Sequence, residues 1–514
     1  MNALGTFATA TARSVLRWTR RAGAILLGLA ASLVAGFTLY ATTTLPDLAP
    51  WHTTILPGEF SARGNAPRDF QGYQELEKQL FAAAGAAAWD PQSDGYASSR
   101  FNPAGNPQRL VEGAPYNRSF RLTPAVPVGG ALLVHGLTDS PYSMKALAET
   151  LHRQGFEVTV LRLPGHGTWP SMLTRMKFED WVAAVRLAAR DVAERTPPGR
   201  PFYVGGYSTG GTLMLSYTLD SLRDPALRRP DRVLLVSPAI EISPLAPLAN
   251  LLDLLAVLPV DEVQKVRWQS VLPEFDPYKF NSFPVNATRQ VNGAVNALQA
   301  RLDAAASDGR LGDLPPVVTW QSAIDSTVGS RGAVNGLYGR LGQARHRLVV
   351  FDTNRLPRWK IIAHPGPRAL VAQATAGRRG YTLELVSNDG TDSPQVTLRR
   401  YTPGASVPEV LPTDLAWPEG TVSVGHVALP FPPDDPLYGY LPGSGRNGVP
   451  SLGSLLLRGE PGATTIALGS LTRPRSNPFW PLIDRQVAEL VATDLAGNDA
   501  QPQATAPAPV PGSP

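Results

Sequence analysis

Ser208 stands where a serine can become a nucleophile. Residues 202–211 read FYVGGYSTGG, so Gly206, Tyr207, Ser208, Thr209 and Gly210 spell G-x-S-x-G directly after an apolar run and before a helical one. A serine on such a strand-to-helix turn sits on strained backbone, and glycines two positions either side keep Cβ atoms from blocking the turn. The plainer alternative is a glycine-rich turn that happens to hold a serine; the strand before it and the helix after it favour the nucleophile. Acyl transfer also needs two fixed donors for the oxyanion, and backbone amides supply them without reorganising. Residues 131–141 read ALLVHGLTDSP, a buried strand ending in His135-Gly136, and the amides of Leu137 and Thr209 are assigned as the oxyanion hole. His135 is read as a packing and loop-shaping residue. His166, in the LPGHG segment 163–167, is read as structural.

These residues need elements to hold them. Apolar runs at 131–134, 157–161, 202–205, 232–236, 317–320 and 347–351 alternate with helical stretches such as 142–154 and 178–194. Short buried strands separated by helices indicate βαβ units, so the expected fold class is α/β, a mostly parallel doubly wound sheet. Before it, residues 42–123 read as a polar leader packing on the catalytic domain, with one helix-like stretch near 73–87. The catalytic domain is expected over 124–498. Two insertions interrupt it: a helical cap at 242–313 and a second at 354–420, the latter holding a hairpin of strands 382–386 and 395–401 joined through Asn388-Asp389-Gly390. The cap holds the leucine-rich run PLAPLANLLDLLAVLP with Trp268, Phe275, Tyr278, Phe280 and Phe283, which suits an apolar acyl cleft and a self-packing cap equally. Residues 499–514 are Pro/Ala-rich and expected to be disordered.

The combination VHGLTDSP, LPGHG and GYSTGG resembles the α/β-hydrolase superfamily, in the branch containing monoacylglycerol lipases, carboxylesterases and serine-aminopeptidase-like hydrolases. The resemblance spans roughly residues 124–491. It implies the chain order serine, acid, histidine, with the acid after the next-to-last strand and the histidine after the last. Residues 317–328, VVTWQSAIDSTV, then offer Asp325 as the acid, which can cap a following helix as well; Glu241 is the lesser candidate. Three histidines follow Asp325. His346 begins a strand, at the wrong end of a parallel sheet. His364 has the shorter spacing, in KIIAH before Pro365. His426, in TVSVGHVALPFPPDDPLYG, is preferred as the base although it departs from the family's usual spacing.

The N-terminus adds a membrane feature. Residues 22–41 form an uncharged run of 20, preceded by Arg13, Arg17, Arg20 and Arg21, with no acidic residue before Asp47. A helix of that length spans a bilayer's hydrocarbon core, about 30 Å. The basic flank places residues 1–21 in the cytoplasm and the rest across the membrane, on the periplasmic or extracellular side. A cleaved signal peptide is the competing reading, weakened by the lack of an Ala-x-Ala site.

Composition narrows the function classes. The 514 residues are 43% hydrophobic with a net charge of only +5, and no basic stripe with interleaved aromatics argues for nucleic acid. Without cysteine, disulfides, thiolate metal sites and a thiol nucleophile are excluded. No metal-ligand or nucleotide-phosphate pattern occurs, so no cofactor is expected. The expected function is therefore a membrane-anchored serine hydrolase of the carboxylesterase or lipase type. Its substrate would be a small ester, lipid-derived on one reading, cleaved through an acyl-enzyme by Ser208, Asp325 and His426. A peptidase or amidase with the same triad and a non-catalytic binding protein on the same fold are the rivals. Oligomeric state is not legible.

Overall fold

A computed structural model describes residues 3–86, 96, 98–112, 114–241, 261–388, 392–455 and 468–500. The first part of the expected cap, through residue 260, and the Pro/Ala-rich tail from residue 501 lie outside the described residues.

The centre is a ten-stranded sheet. Its strands are β1 (Phe120–Leu122), β2 (Gly129–Val134), β3 (Phe156–Leu161), β4 (Phe202–Tyr207), β5 (Arg232–Val236), β6 (Val317–Ser322), β7 (Arg347–Phe351), β8 (Thr382–Ser387), β9 (Gln395–Tyr401) and β10 (Glu409–Ala416). They lie in the order β1-β3-β2-β4-β5-β6-β7-β8-β9-β10. Neighbours from β3 to β8 run parallel, whereas β1 and the last two strands pair antiparallel. Strands β2 to β6 are buried throughout, as strands covered on both faces must be.

Alternation along each strand sorts side chains into two layers. Leu132 and Val134 join one cluster with Trp181 of helix α4 (Phe178–Arg195), Leu213 of α5 (Thr209–Ser221) and Leu298 of α6 (Val285–Ser307). Ala131 and Leu133 join the other, with Leu151 of α3 (Lys145–Arg153) and Ile483 of α8 (Trp480–Ala500). Helix α8 is fastened to its layer by polar contacts as well: Asp494 pairs with Arg232 and Tyr203, and Gln486 accepts from the Trp320 indole at 2.8 Å.

Two expectations about the insertions need correction. Helix α6, counted within the cap at 242–313, belongs to the layer beside the sheet: Leu298, Leu302 and Ala305 share a core cluster with Val233 and Val317. The reason is topological, since parallel β5 and β6 need a crossover that packs back on the sheet. The hairpin at 382–401, expected inside an insertion that interrupts the domain, is part of the sheet. After the crossover helix α7 (Pro365–Thr375), β8 pairs in parallel with β7, Thr382 opposite Arg347 through Val386 opposite Phe351, and β9 and β10 extend the sheet. The buried Val386, Val396 and Leu398 supply the apolar face that makes this extension part of the core.

At the N-terminus, α1 (Ala3–Thr44) runs unbroken through the expected anchor. Among the described residues no helix is long and apolar enough to cross a membrane. The side chains of Leu26, Ala30, Leu33, Val34 and Ala41 are outside the described set. Where α1 ends, Leu45 packs with Val266, Trp268 and Val271 of the segment preceding α6, and Lys265 Nζ reaches Asp47 at 2.9 Å.

The leader is held by one buried cation. Arg162, just past β3, donates through both terminal nitrogens to Glu59 at 3.0 Å and through Nε to Glu77 at 2.8 Å; Glu77 lies on α2 (Phe70–Ala86). Tyr73 of the same helix donates to the Arg162 carbonyl at 2.7 Å. Burial alone would raise the Glu59 carboxyl, but the Arg162 guanidinium and the Gly165 and Phe60 amides outweigh it and hold the group below its ordinary range. Removing one partner from such a network strands buried charge. Arg162→Met should therefore lower unfolding stability by ~3–5 kcal/mol, read as a drop in the urea midpoint; an unchanged midpoint would show that the leader is not held this way.

Candidate functional site

The site sits at the carboxyl ends of β2, β4, β6 and β7, where loops from a parallel sheet converge. At the end of β4, Ser208 has φ 54° and ψ −119°, a conformation that an L-residue holds only under constraint. The constraint is visible in its hydrogen bonds. Its amide donates to the Val236 carbonyl at 3.1 Å, and its carbonyl accepts from Gly211 at 3.0 Å and Ala239 at 3.1 Å. The glycines are needed for contact: a Cβ on Gly206 would stand 2.2 Å from the Gly210 carbonyl carbon, and one on Gly210 would stand 2.0 Å from the Val134 carbonyl oxygen. Ser208 is thus pressed against the β2 loop, and a Cβ on Gly136 would touch its own Cβ at 3.0 Å.

Thr209 is the first residue of α5, so its amide lies at the electropositive helix end. Leu137 follows Gly136 in the loop after β2. Neither amide donates to a protein acceptor among the described residues. The loop is braced by His135, whose Nε2 accepts from the Leu163 amide at 3.0 Å; its Nδ1 therefore carries the proton, donated to the Gly136 carbonyl at 2.8 Å. Burial, reinforced by the neighbouring His166, pushes His135 well below the usual imidazole range and keeps it neutral.

Asp325 lies in the loop after β6. Its Oδ1 accepts from the amides of Thr327 at 2.8 Å and Val328 at 3.0 Å; its Oδ2 accepts from Ser237 Oγ at 3.1 Å and Gln321 Nε2 at 3.2 Å. The same Oδ2 accepts from His426 Nδ1 at 3.0 Å. Burial would raise this carboxyl, yet His426 and the two amides overcome it and hold it well below the carboxylate range. With Nδ1 so engaged, His426 Nε2 is left for other chemistry. The ring lies 4.8 Å from that of Tyr207, the residue before Ser208, and the Tyr207 hydroxyl donates to the His426 carbonyl at 3.3 Å. No hydrogen bond joins Ser208 Oγ to His426 among the described residues; such contacts are often loose in an unliganded site and tighten with substrate.

The other histidines after Asp325 are occupied elsewhere. His364 is the exposed N-cap of α7, its Nδ1 accepting from the Gly366 amide at 3.0 Å. His346 is buried at the start of β7, where Nδ1 accepts from the Val317 amide at 3.2 Å. Glu241 is exposed, and the acid that meets His426 is Asp325. Among the described residues no group of three or more His, Asp or Glu side chains is arranged to hold a metal ion.

His426 reaches Asp325 although 101 residues separate them. The excursion through α7, β8, β9 and β10 leaves and returns at one point. Asn354, just after β7, donates its amide to Val422 at 2.8 Å and its Nδ2 to the Thr421 carbonyl at 2.9 Å, and Ser322 Oγ donates to the Val424 carbonyl at 2.5 Å. Asn354, Ser322, Gln321, Ser237 and Tyr207 were not legible as site residues. Only Tyr207, inside the G-x-S-x-G pentapeptide, had a local signal.

Known proteins resemble the middle of the chain. Residues 127–353 match the hydrolase family described as serine aminopeptidase, S33. The thermostable monoacylglycerol lipase of Bacillus sp. (strain H-257) is 43% identical over 86 residues, 17% of this chain and a third (33%) of that protein's length. The monoacylglycerol lipase of Paleococcus ferrophilus superposes at 18% identity with a TM-score of 0.35, over 50% of this chain and 98% of that one. A soluble variant of monoglyceride lipase from Saccharomyces cerevisiae does so at 14% identity and a TM-score of 0.33, over 45% and 81%. At such scores neither superposition bears on chemistry. The family match runs from the approach to β2 to just past β7, across the strands that carry the Ser208 turn and Asp325, and with the stretch shared with the monoacylglycerol lipase it supports an α/β-hydrolase fold of lipase and esterase-like type.

Proposed function

We propose that the protein is a membrane-anchored serine hydrolase that cleaves carboxylic esters, of acyl or lipid type, through an acyl-enzyme. The observation that carries this reading is the 3.0 Å bond from His426 Nδ1 to Asp325, made beside a strained Ser208 and two uncommitted amides. Ser208 Oγ attacks the ester carbonyl while His426 Nε2 takes its proton. The carbonyl π electrons move to oxygen, where the Leu137 and Thr209 amides receive the charge. Collapse expels the alcohol as His426 returns the proton to its oxygen. Water, deprotonated by the same imidazole, then releases the carboxylic acid and restores Ser208. Asp325 stays ionised throughout, fixing the ring's tautomer and balancing the imidazolium.

The matched family's description, serine aminopeptidase, gives a specific reason to carry a second reading, in which the same residues cleave an amide. Labelling by a fluorophosphonate probe, followed by a panel of nitrophenyl esters and aminoacyl anilides, separates them. Ser208→Ala should abolish labelling and ester turnover with the fold intact. His426→Ala should cost ~3 to 6 orders of magnitude in turnover, and His364→Ala, which removes only a helix cap, should leave it nearly unchanged. Full activity of Ser208→Ala, or loss on His364→Ala matching that on His426→Ala, would remove the assignment. Absence of both labelling and turnover would favour a binding protein on the hydrolase fold.

The anchor rests on the charge-free run 22–41 behind four arginines, and on the exposure of Ile25 (64%) and Leu27 (75%), apolar side chains that a lipid environment would cover. In this reading the catalytic domain lies on the non-cytoplasmic side. In bacterial spheroplasts, added protease should then degrade the domain, and the chain should stay in the membrane pellet after an alkaline carbonate wash. Protection until lysis would reverse the orientation, and a soluble form beginning near Thr42 would indicate a cleaved signal.

A further inference from the structure

A small cavity of about 140 Å³ lies at Val427, the residue after His426, and cations outnumber carboxylates along its wall. Phe275, Val427 and Leu471 form apolar wall; Asp276, Lys279, Arg473 and Arg475 line it too. Val427 directly follows the imidazole. On the other side, Lys279 Nζ stands 3.4 Å from Asp139, whose Oδ2 is 3.0 Å from the place a Gly136 Cβ would take, the same place that Ser208 Cβ approaches to 3.0 Å. Neither Ser208 nor His426 lines the cavity itself; it is linked to the site through Val427, next to the imidazole, and through the Lys279–Asp139 pair.

Two of the three cations are answered. Lys279 faces Asp139, and Arg475 faces Asp276 at 3.8 Å; Asp276 also accepts from the Tyr438 hydroxyl at 2.7 Å and from the Tyr278 amide at 3.0 Å. Arg473 is different. Its guanidinium donates to the neutral Thr327 hydroxyl at 3.3 Å and lies 3.9 Å from the place of a Gly425 Cβ, and it meets no carboxylate among the described residues. It stands between the loop that carries Asp325 and the loop that carries His426. A half-buried guanidinium with only a hydroxyl partner has donors left to offer, and a bidentate oxyanion is what its planar fork matches. An ammonium, by contrast, meets uncompensated positive charge there.

We infer that the ester substrate carries an anionic group, phosphate or carboxylate, on its alcohol portion, bound in this cavity by Arg473. The inference rests on the hydrolase reading above. The anion belongs to the alcohol portion because the imidazole must protonate the leaving oxygen, so the alcohol departs on the His426 side, toward Val427 and Arg473. The apolar wall accommodates the carbons between ester and anion.

The test compares three soluble butyryl esters on the purified full-length protein: butyryl glycerol, its 3-phosphate, and the butyryl ester of glycolic acid. The expected result is a higher kcat/KM for one or both anionic esters than for the neutral one, carried by KM and falling as salt is raised. Arg473→Gln should reduce the anionic-to-neutral ratio roughly tenfold, and Arg473→Lys should restore part of it. The phosphate and glycolate arms then tell which anion the cavity prefers. Neutral ester cleaved with no anionic preference, or a ratio unmoved by Arg473→Gln, would overturn the inference and leave the hydrolase intact. No turnover of any ester and no fluorophosphonate labelling would remove both.

Discussion

The bond between His426 and Asp325 sets a demand that the rest of the chain has to meet. A parallel sheet fixes where the Ser208 turn and the Asp325 loop stand, because both end strands buried on two faces. The imidazole is not so fixed: it arrives on a loop, after α7 and β8–β10, and a displacement of an ångström would separate it from its carboxylate. Asn354 and Ser322 meet the demand by stitching residues 421–424 to the ends of β7 and β6. Side-chain and backbone hydrogen bonds thus do for His426 what strand pairing does for Ser208.

Buried charge is used differently in different parts of the molecule. Around Arg162 it is structural, with every charge answered, and it ties the leader to the loop that follows β3. Around Asp325 one carboxylate gathers five donors, so it stays ionised in a place where burial opposes charge. In the cavity at Val427 the pairing is incomplete, and incompleteness there is what gives a ligand something to do. The first two cases share one rule, that a buried charge without partners is costly and the fold meets the cost; the half-exposed Arg473 instead keeps donors that a ligand can take.

What the sequence disclosed followed the range of the signals. Ser208 was legible because strand, glycine spacing and helix lie within ten residues, and the Leu137 loop because an apolar strand runs into His135-Gly136. Asp325 followed another buried strand. His426 was legible only against His364, which has the shorter spacing from Asp325 but serves as the N-cap of α7. The extension of the sheet by β8–β10 was not legible as such: 382–386 and 395–401 have the pattern of a hairpin, and nothing local says that the first of them pairs with β7 some thirty residues earlier. Helix α6 was assigned to the cap for a similar reason, since its Leu298 and Leu302 meet the sheet only in three dimensions. Arg473 lay beyond reach altogether, because its neighbours Thr327, Gly425 and Val427 come from two distant loops.

The closure at Asn354 has a consequence for how such a chain can change. Departure and return of the excursion meet at a single residue, Asn354, through its backbone amide and its side chain, so the length of what lies between bears little on the imidazole. Loops are lengthened most cheaply where their ends already touch. The stretch between β7 and His426 is thus a docking bay in the architecture, able to take further strands beyond those already packed into the core while the surroundings of Ser208 keep their geometry. The outer strand, β10, carries mostly exposed positions with Pro412 and Asp414 among them, the kind of edge that resists pairing with a second sheet. The sheet therefore ends, beyond that bay, on an edge poorly suited to pairing with another chain.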